Sequence, residues 1–560
     1  MTQLSPIEAH ERVIGGIFSD SYAFEIPPYQ RPYAWEEEQA RDLLNDLLEA
    51  MDDTDASGGV YFLGSIVLIK SPGSPASKVV DGQQRLTTLT ILLAVLRDLT
   101  TNSDRRLGRT AYVHQAANPD TGASDRHRLL LREQDRDFFH RHVQKAGATD
   151  ELPDKASLVG SQLRIIENAS LFRSRLAGME ETRRDQLVAF IIQRCYLVVV
   201  AVPTADAARR IFTVLNARGL DLTATDILKA ELLDRAGAAQ EAPLAKRWEA
   251  VELALGRDPF VELFGHLRMI YEREKPRSAL ETAFAKVVGP FNGDADAFIS
   301  DVLEPAADAY AELTEIPTIR AQLGRDVARA VRSLSRIDNK DWVPPAMLRL
   351  WRRQPGDRQE VAKFLIDLER LAYFLFVTRA DVNERIARFG AVMDEFEPRP
   401  GKSAPEQGLE LSDEEKLAFK AALDGPLYRK SRVCRPVLQR LDEALSSGGA
   451  EYDEPLISIE HVLPQTVDPG SEWAKLFPDE DARLDWTHRL ANLVLLTRRI
   501  NTKASNWSFD RKKNEYFKAA DGTTPFHITQ QVQGQPSWSL AVLKARQTDL
   551  TQRLESLWRL

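Results

Sequence analysis

The sequence predicts an α+β multidomain protein, and three observations lead to this class. The first part of the chain alternates β-branched apolar runs with helical periods, the middle is almost wholly helical, and the last part mixes short strands with helices. At 560 residues the chain is long enough for about three domains. We therefore expect an α/β domain over 1–235, a helical connecting region over 236–424, and a C-terminal domain over 425–560.

Composition and charge limit the classes of function. Apolar residues make up 43% of the chain and charged residues 28%, which is typical of a globular protein with a sizeable core. No apolar run is long enough to span a membrane and no signal sequence is evident, so we expect a cytoplasmic protein without a membrane partner. The two cysteines, Cys195 and Cys434, provide neither a zinc site nor a disulfide framework. The net charge of −9 means that any nucleic-acid binding must use local basic patches.

Three apolar runs in the N-terminal part predict the strands of a sheet. They lie near residues 60–69, 78–80 and 196–202, and Gly64 predicts a kink in the first. The run at 196–202 is continuously apolar, which is typical of a strand buried on both faces. A helix is expected after each major motif.

A phosphate-binding turn is predicted where the second strand meets its helix. There, a β-branched pair runs into Asp81-Gly82-Gln83-Gln84-Arg85, and an apolar helix follows at once. The beginning of a helix presents free N–H groups and the positive end of a dipole to an anion, and an arginine fits phosphate in a bidentate fork. Ordinary turn chemistry is the alternative, because Asp-Gly is common at such turns.

A second N-terminal segment interleaves aromatic and polar residues: Tyr29, Gln30, Arg31, Tyr33 and Trp35. Aromatic rings next to an arginine can stack on bases or form a pocket for a modified base, so this segment is a candidate DNA sensor. Packing under a loop is an equally weighted alternative, because proline-spaced aromatics are common there.

Four polar residues near the C-terminus follow the layout of a one-metal ββα nuclease site. Glu460 and His461 lie on a predicted strand, Asn492 follows in a hairpin, and Asn501 opens the next helix. In this reading His461 deprotonates water, Asn492 orients its ring, and Glu460 with Asn501 holds Mg²⁺ or Mn²⁺. A histidine beside a glutamate is by itself more often a satisfied polar residue, so the prediction depends on the conjunction of all four. His488 is a weaker competitor for the role of base.

Basic residues outside this set are candidates for contact with DNA phosphate. Lys503 and Lys512 follow the nuclease motif, and four arginines recur at helical spacing: Arg325, Arg329, Arg332 and Arg336. The opposite stripe of that helix is apolar and is expected to face a core. A solvated charged face is the more ordinary interpretation of the arginine row.

Several of these motifs together identify a family resemblance. They are Tyr29-Gln30-Arg31-x-Tyr33-x-Trp35, Phe62-Leu-Gly64-Ser65-Ile66, Asp81-Gly82-Gln83-Gln84-Arg85 and the run from Phe212 through Asn216, Arg218 and Asp226 to Lys229. They resemble the DUF262 domain, a ParB/sulfiredoxin-like fold that forms the N-terminal part of GmrSD-type proteins. The segments around Glu460-His461 and Asn492 resemble the partner DUF1524 domain, which carries an HNH nuclease motif.

The resemblance implies a GmrSD-type, modification-dependent type IV restriction endonuclease that defends against phage. It implies an HNH domain embedded in helices, double-stranded and modified DNA as partner, and a nucleoside triphosphate (GTP, ATP or another) at Asp81 to Arg85. Asn216 and Arg218 are expected to close over this nucleotide. A homo-oligomer is compatible with this picture. Two alternatives stay open, namely a nucleotide-gated DNA-binding or regulatory ParB-like protein and an NTPase, each with an HNH remnant that does not cleave.

Overall fold

The computed structural model describes residues 8–57, 59–120, 124–204, 223–399, 401, 408–446, 457–497, 507–517 and 524–560. Within them the protein is mostly helical with a small sheet, which confirms the predicted α+β class. Its contacts group the chain into two compact units, the first made of residues 1–261 and 290–299 and the second of 262–289 and 300–560. The finer division into three domains stays a prediction.

The first unit contains a six-stranded mixed sheet. The strands of the unit are β1 Glu8–Val13, β2 Ala23–Glu25, β3 Tyr61–Ile69, β4 Ala76–Asp81, β5 His114–Gln115, β6 Arg126–His127, β7 Leu129–Leu130 and β8 Cys195–Val202. The sheet has the order β1-β8-β3-β4-β2-β7, while β5 and β6 pair separately. Pairing is antiparallel for β1 with β8 and for β3 with β4, and parallel for the other neighbours.

The observed strands β3, β4 and β8 lie where the apolar runs predict them. Gly64 has a φ of 99°, and the register of β3 against β8 shifts between Phe62 and Ser65, so the predicted kink is a β-bulge. In β8, Cys195, Leu197 and Val199 are buried, but every second residue up to Val198 is half-buried. The expectation of a strand buried on both faces is therefore met only in part.

The helices of this unit are Ile14–Ile17, Glu37–Ser57, Gln83–Asp98, Ser103–Thr110, Glu133–Phe139, Gly160–Ala177, Glu181–Arg194, Ala224–Ala236, Ala238–Leu255 and Ala295–Phe298. The main core lies between one face of the sheet and helices of the segment 14–194. The helix Gln83–Asp98 is buried on nearly all sides, as its continuous apolar sequence requires. On the other face of the sheet, Val67, Val80, Val200 and Val202 form a small separate cluster.

The second unit is built from helices around one short strand pair. Its helices are Leu280–Val287, Glu304–Thr314, Ile316–Leu323, Arg325–Leu334, Val343–Trp351, Arg358–Val377, Val382–Phe396, Asp413–Asp424, Ser431–Leu445, Glu472–Leu476, Glu480–Thr487, Phe509–Arg511, His527–Gln533 and Leu540–Trp558, and the helix Arg257–Glu272 runs across the division at residue 261. The strands are β9 Ile457–His461 and β10 Leu493–Thr497, which pair antiparallel. Among the described residues, no helix has the length and apolar character that crossing a membrane requires.

Candidate functional site

In the second unit, Glu460 and His461 lie at the end of the antiparallel pair formed by strands β9 and β10. His461 is the last residue of β9 and lies opposite Leu493, while Glu460 lies opposite Val494. Lys512, on the helical turn that follows Phe509–Arg511, donates from Nζ to the carbonyl oxygens of His461 at 2.8 Å and of Val462 at 3.0 Å. Its Nζ is also 3.9 Å from Glu460 Oε1. Two strands and a helical turn therefore converge on Glu460 and His461.

Two other rings surround the imidazole of His461. Tyr428 packs edge-on against it with 4.2 Å between ring centroids, and His488 lies 5.4 Å away. Tyr428 and His488 are themselves stacked, with an angle of 8° between their planes. The His461 residue is 4% exposed, and its Nε2 is buried without a hydrogen-bond partner among the described residues. Because an unpartnered buried nitrogen is costly, such an atom calls for a functional explanation.

Burial and nearby cations determine the charge of this group. The pKa of His461 falls to about 3, first because burial disfavours the charged ring and then because His488 and Lys512 add positive charge. The pKa of Lys512 falls to about 8 through burial, which the Glu460 carboxylate opposes. His461 is therefore neutral at pH 7, and a neutral imidazole has a lone pair that can accept a proton.

Asn492 holds the backbone beside this site. It is fully buried, and its Oδ1 accepts from the Leu463 N–H at 2.7 Å and from the Trp538 indole at 3.3 Å. Its Nδ2 donates to the carbonyl oxygens of Leu463 and Thr487, both at 2.9 Å. None of these bonds reaches the His461 ring, so Asn492 fixes the turn that follows His461 rather than the ring itself. In this structure it is a positioning residue, and the direct ring contact that the sequence suggested is not seen.

The turn that carries Asn492 is in turn fixed by the last helix. The Ala491 N–H donates to Gln547 Oε1 at 2.9 Å, and Arg546 Nε donates to the Ala491 carbonyl at 3.0 Å. Arg546 is inside the core, and burial lowers its pKa to about 10. Burying a guanidinium is costly unless its N–H groups are hydrogen-bonded, and here the Ala491 and Ile528 carbonyls and Gln531 Oε1 accept those bonds.

Of the two metal ligands predicted from the sequence, only one lies among the described residues. Asn501 and Lys503 lie outside the described residues. Within the described ranges, no group of three or more His, Cys, Asp or Glu side chains is arranged to hold a metal ion. Glu460, which precedes His461 on strand β9, has a side chain that is 15% exposed and offers carboxylate oxygens to a cation. A single carboxylate fits Mg²⁺, which commonly takes one or two carboxylates and completes its shell with water and substrate phosphate.

In the first unit, the predicted phosphate-binding turn has the expected backbone geometry. Gly82 has a φ of 89° and precedes the helix Gln83–Asp98. A Cβ at this position would lie 2.5 Å from Cγ2 of Ile66, so both the conformation and the space require glycine. The first N–H groups of the helix have no partner within the helix and are available to an anion.

The polar side chains around this turn mostly bind the neighbouring backbone. Gln84 Oε1 accepts from the Ala34 N–H at 2.8 Å, and its Nε2 donates to the Pro32 carbonyl at 3.1 Å. Gln30 Nε2 donates to the Val80 carbonyl at 2.7 Å. In this structure the Gln84 amide is therefore engaged by the segment 32–35 and the Gln30 amide by β4, and the binding roles predicted for these two residues stay predictions.

The aromatic segment is partly a packing element. Tyr33 is 5% exposed, and its hydroxyl bonds with Thr88 at 2.7 Å and accepts from Asn168 Nδ2 at 2.8 Å. Stacking of Tyr33 on a DNA base does not fit this position, because its ring belongs to the core of the first unit. Tyr29, Arg31 and Trp35 are half-buried, and the sensor role predicted for them stays a prediction.

Arg85 connects the turn with the bulge in β3. Its Nη1 donates to the Ser65 carbonyl at 3.0 Å, and its guanidinium lies about 3.1 Å from where a Cβ of Gly64 would be. Burial lowers the pKa of Arg85, while the nearby Asp81 carboxylate opposes this shift. The motifs around Gly64 and Asp81 therefore meet in one place. Asn216 and Arg218 lie outside the described residues, so their predicted closure over a nucleotide stays a prediction.

The predicted phosphate contacts in the second unit have other partners in this structure. Lys512 is fully buried against the site backbone, which does not fit a contact with surface phosphate. In the arginine row, Arg336 pairs with Glu443 at 2.5 Å and Arg329 with Asp326 at 3.7 Å, while Arg325 is exposed and Arg332 half-buried. The opposite stripe is buried as predicted and consists of Val327, Val331, Leu334 and Ile337.

Other residues of the site have no distinct signal in the sequence. Tyr428 precedes β9 by a whole helix, and nothing local indicates that its ring contacts His461. In the first unit, Lys229 is 1% exposed and donates to Glu249 at 2.7 Å, beside the equally buried Arg132. The last motif of the N-terminal resemblance therefore includes a buried ion pair, which the composition of the motif did not reveal.

The two units together define a protein of the α+β class. One unit contains the glycine turn before the buried helix Gln83–Asp98, and the other contains Glu460 and His461 on a paired strand. Residues 14–233 match the model of the N-terminal domain of the GmrSD restriction endonuclease, and residues 413–553 match that of the C-terminal domain of GmrSD restriction endonucleases. The chain belongs to the GmrSD restriction endonuclease family. Among curated proteins, none matches the chain.

Proposed function

We propose that this chain is a nucleotide-regulated, metal-dependent HNH endonuclease that restricts modified phage DNA. Membership of the GmrSD family supports the restriction endonuclease role and DNA as the partner. The proposal goes further in four respects. It says where the active site lies, that cleavage needs a metal, that a nucleotide regulates it, and that the target DNA is modified. The observation that carries it is the buried Nε2 of His461, which has no hydrogen-bond partner among the described residues, at the end of the strand that also carries Glu460.

The chemistry assigned to this chain follows from the neutral imidazole. His461 takes one proton from a water molecule, whose oxygen then attacks phosphorus. The bond from phosphorus to the 3′ oxygen breaks, and that oxygen takes a proton from solvent. Negative charge of a bound phosphate raises the basicity of a ring that is otherwise weakly basic. Asn492 and Lys512 hold the backbone at His461 and directly after it in place.

A divalent cation fits the donor chemistry of this site. Glu460 would hold Mg²⁺ or Mn²⁺, and Asn501 is proposed as the second protein ligand. When bound, the cation supplies positive charge that stabilises the charge developing on the phosphate. Lys512 Nζ, 3.9 Å from Glu460, is the cation that now neighbours this carboxylate.

The substitution His461→Ala tests the catalytic assignment. It should lower metal-dependent cleavage by about 10²–10⁴-fold, because that is the usual contribution of a positioned base. Nucleotide binding and the circular dichroism melt should be unchanged. Cleavage of modified phage DNA at the wild-type rate by the folded variant would remove His461 from the mechanism.

We propose that the nucleoside triphosphate binds at the start of the helix Gln83–Asp98. The left-handed Gly82 turn, the helix dipole and the Arg85 guanidinium support this place. Equilibrium dialysis with GTP and ATP should show binding to the wild type and at least tenfold weaker binding to Arg85→Gln. Equal affinity of both proteins would exclude Arg85 as a phosphate ligand.

One assay separates the proposed function from its two alternatives. The protein is incubated with Mg²⁺ and with modified or unmodified phage DNA, in the presence and absence of each triphosphate. Cutting of modified DNA alone supports the proposal. Nucleotide turnover without cutting favours an NTPase, and binding of DNA without cutting favours a regulatory clamp.

A further inference from the structure

A cavity of about 330 Å³ in the second unit is lined by an excess of positive charge. It lies between the end of the helix Arg358–Val377 and the start of the helix Ser431–Leu445. Four cationic side chains line it, against one carboxylate among the described residues: Arg379, Arg385, Lys430 and Arg432, with Asp338 as the carboxylate. The protein as a whole is acidic, so a local excess of this kind is notable for function.

We propose that this cavity, the 379–432 cavity, binds a backbone phosphate of the DNA strand that is cut at His461. The inference rests on the proposed function, because it takes DNA to be the substrate. It assigns the grip on DNA to a place other than the arginine row at 325–336.

Two of the cations are not neutralised by a carboxylate in the described part of the chain. Arg379 Nη2 donates to the Arg429 carbonyl at 3.4 Å, and Lys430 Nζ donates to the Val377 carbonyl at 2.8 Å. Carbonyl oxygens satisfy donors but carry no net charge. Burial and the charge of Arg379 lower the pKa of Lys430, because both disfavour its charged form. An anion in the cavity would offset the repulsion between these two cations and would be attracted by each of them.

The other two cations form ion pairs of different strength. Arg385 Nε is 2.6 Å from Asp341 and is mostly buried, so it belongs to the wall. Arg432 is 3.2 Å from Asp338, but its side chain is 82% exposed, and such exposed pairs contribute little. Arg432 can therefore exchange its partner for a phosphate at small cost.

The helix Ser431–Leu445 adds to the same field. It has 15 residues and begins at the cavity, and its N-cap residue Lys430 provides no side-chain cap. The first N–H groups of such a helix lack helical partners, and the positive end of its dipole favours an anion.

The chain itself links the cavity to the candidate active site. Tyr428, whose ring contacts His461, precedes Lys430 by two residues and Arg432 by four. Since a residue spans at most about 3.6 Å, their Cα atoms lie within about 7 and 14 Å of that of Tyr428. Phosphates of one strand rise by about 3.4 Å along the helix axis, so this reach corresponds to at most about two nucleotides for Lys430 and about four for Arg432. A strand held at His461 can therefore place a neighbouring phosphate in the cavity.

A phosphate group can also belong to a free nucleotide, and the test distinguishes the two sources. Ligand sites usually have volumes of about 300–1,000 Å³, and this cavity is at the small end of that range. Its size favours a single phosphate of a DNA strand that the protein also contacts at other places. The turn at Gly82 already offers a place for the triphosphate.

The experiment compares the double variant Arg379→Gln/Arg432→Gln with the matched control Arg553→Gln, whose arginine pairs with Asp549 on its own helix. All proteins carry His461→Ala, so that no cutting occurs. Fluorescence anisotropy measures binding to a labelled 30-base-pair duplex, without divalent metal, at four salt concentrations. Non-specific binding is sufficient, because phosphate contacts do not read sequence.

We expect the double variant to bind about tenfold or more weakly and its log-log salt slope to fall by about two, while the control is unchanged. A double variant with the affinity and salt slope of the control would overturn this inference alone. Loss of GTP or ATP binding with normal DNA binding would make the cavity a nucleotide site and also overturn it. A parent protein that binds neither this duplex nor modified phage DNA would overturn the proposed function as well.

Discussion

The turn before the helix Gln83–Asp98 and the end of strand β9 use their polar side chains differently. At the turn, Gln84 has both amide atoms bonded to the backbone of residues 32–35. At the strand end, Asn492 and Lys512 bind the backbone in the same way, but His461 keeps a buried nitrogen that has no partner among the described residues. The difference shows that some polar residues of a motif hold the backbone while another leaves a polar atom unengaged in the described part of the chain. Hydrogen bonds in the tertiary structure separate the two.

The largest effect on stability is expected from Asn492→Ala. The change leaves the Leu463 N–H and the carbonyls of Leu463 and Thr487 buried without their partner. Each such group costs about 1–3 kcal/mol, so we expect the free energy of unfolding to fall by at least about 3 kcal/mol. Urea titration followed by circular dichroism measures it.

The comparison between Asn492 and His461 has its own control. His461→Ala should lower the free energy of unfolding less than Asn492→Ala does, because it leaves no bonded backbone group without a partner, while cleavage is lost. If Asn492→Ala were as stable as the wild type and only its cleavage suffered, Asn492 would act in the chemistry and not in positioning.

A second buried imidazole tests whether an unpartnered nitrogen alone marks an active site. His266 Nε2 is also buried without a partner in the described residues, and burial lowers the pKa of His266 to about 4 from 6.5. It packs against Tyr310 in the helical core. His266→Phe should keep full cleavage, because no strand end with a Glu-His pair is formed there. Loss of cleavage in a stable variant would weaken the assignment to His461.

The lowered pKa of His266 also predicts that the stability of the protein depends on pH, and the variant His266→Phe tests this. The unfolded chain binds a proton at His266 near pH 6.5, whereas the folded protein binds it only near pH 4. Stability from this group is therefore present above pH 6.5 and is lost as the pH falls towards 4, by up to about 3 kcal/mol. Melts of wild type and His266→Phe at pH 7 and 4.5 should differ in this acid-induced loss. Equal losses would contradict the lowered pKa.

The smallest effect on stability is expected at two adjacent glutamines, Gln83 and Gln84, in the first turn of the helix Gln83–Asp98. Gln84→Ala should lower the free energy of unfolding of the protein by about 2 kcal/mol, because the Ala34 N–H and the Pro32 carbonyl lose a partner. The adjacent Gln83→Ala should change stability by less than about 1 kcal/mol and should instead weaken nucleotide binding. The reverse ranking in thermal melts and dialysis would mean that the roles of the two glutamines are exchanged.

Much of the architecture could be predicted from local patterns. The strands at 61–69, 76–81 and 195–202 and the helix after Gly82 were expected from apolar periodicity, and the kink at Gly64 from glycine itself. The placement of Glu460 and His461 on a strand paired with the one after Asn492 was expected from the order of the motif. Local preferences determine such features because the interacting atoms are close along the chain.

The tertiary structure decided which polar residues are engaged. Gln84 meets its partners some fifty positions earlier, Lys512 meets His461 about as far back, and Tyr33 is bound by the distant Asn168. The cavity at Arg379 and Lys430 likewise joins the end of one helix with the start of another. The sequence by itself determined the class of fold, the family and the residues able to carry out the chemistry. Which of these residues hold the backbone depended on long-range contacts, whose partners no local pattern specifies.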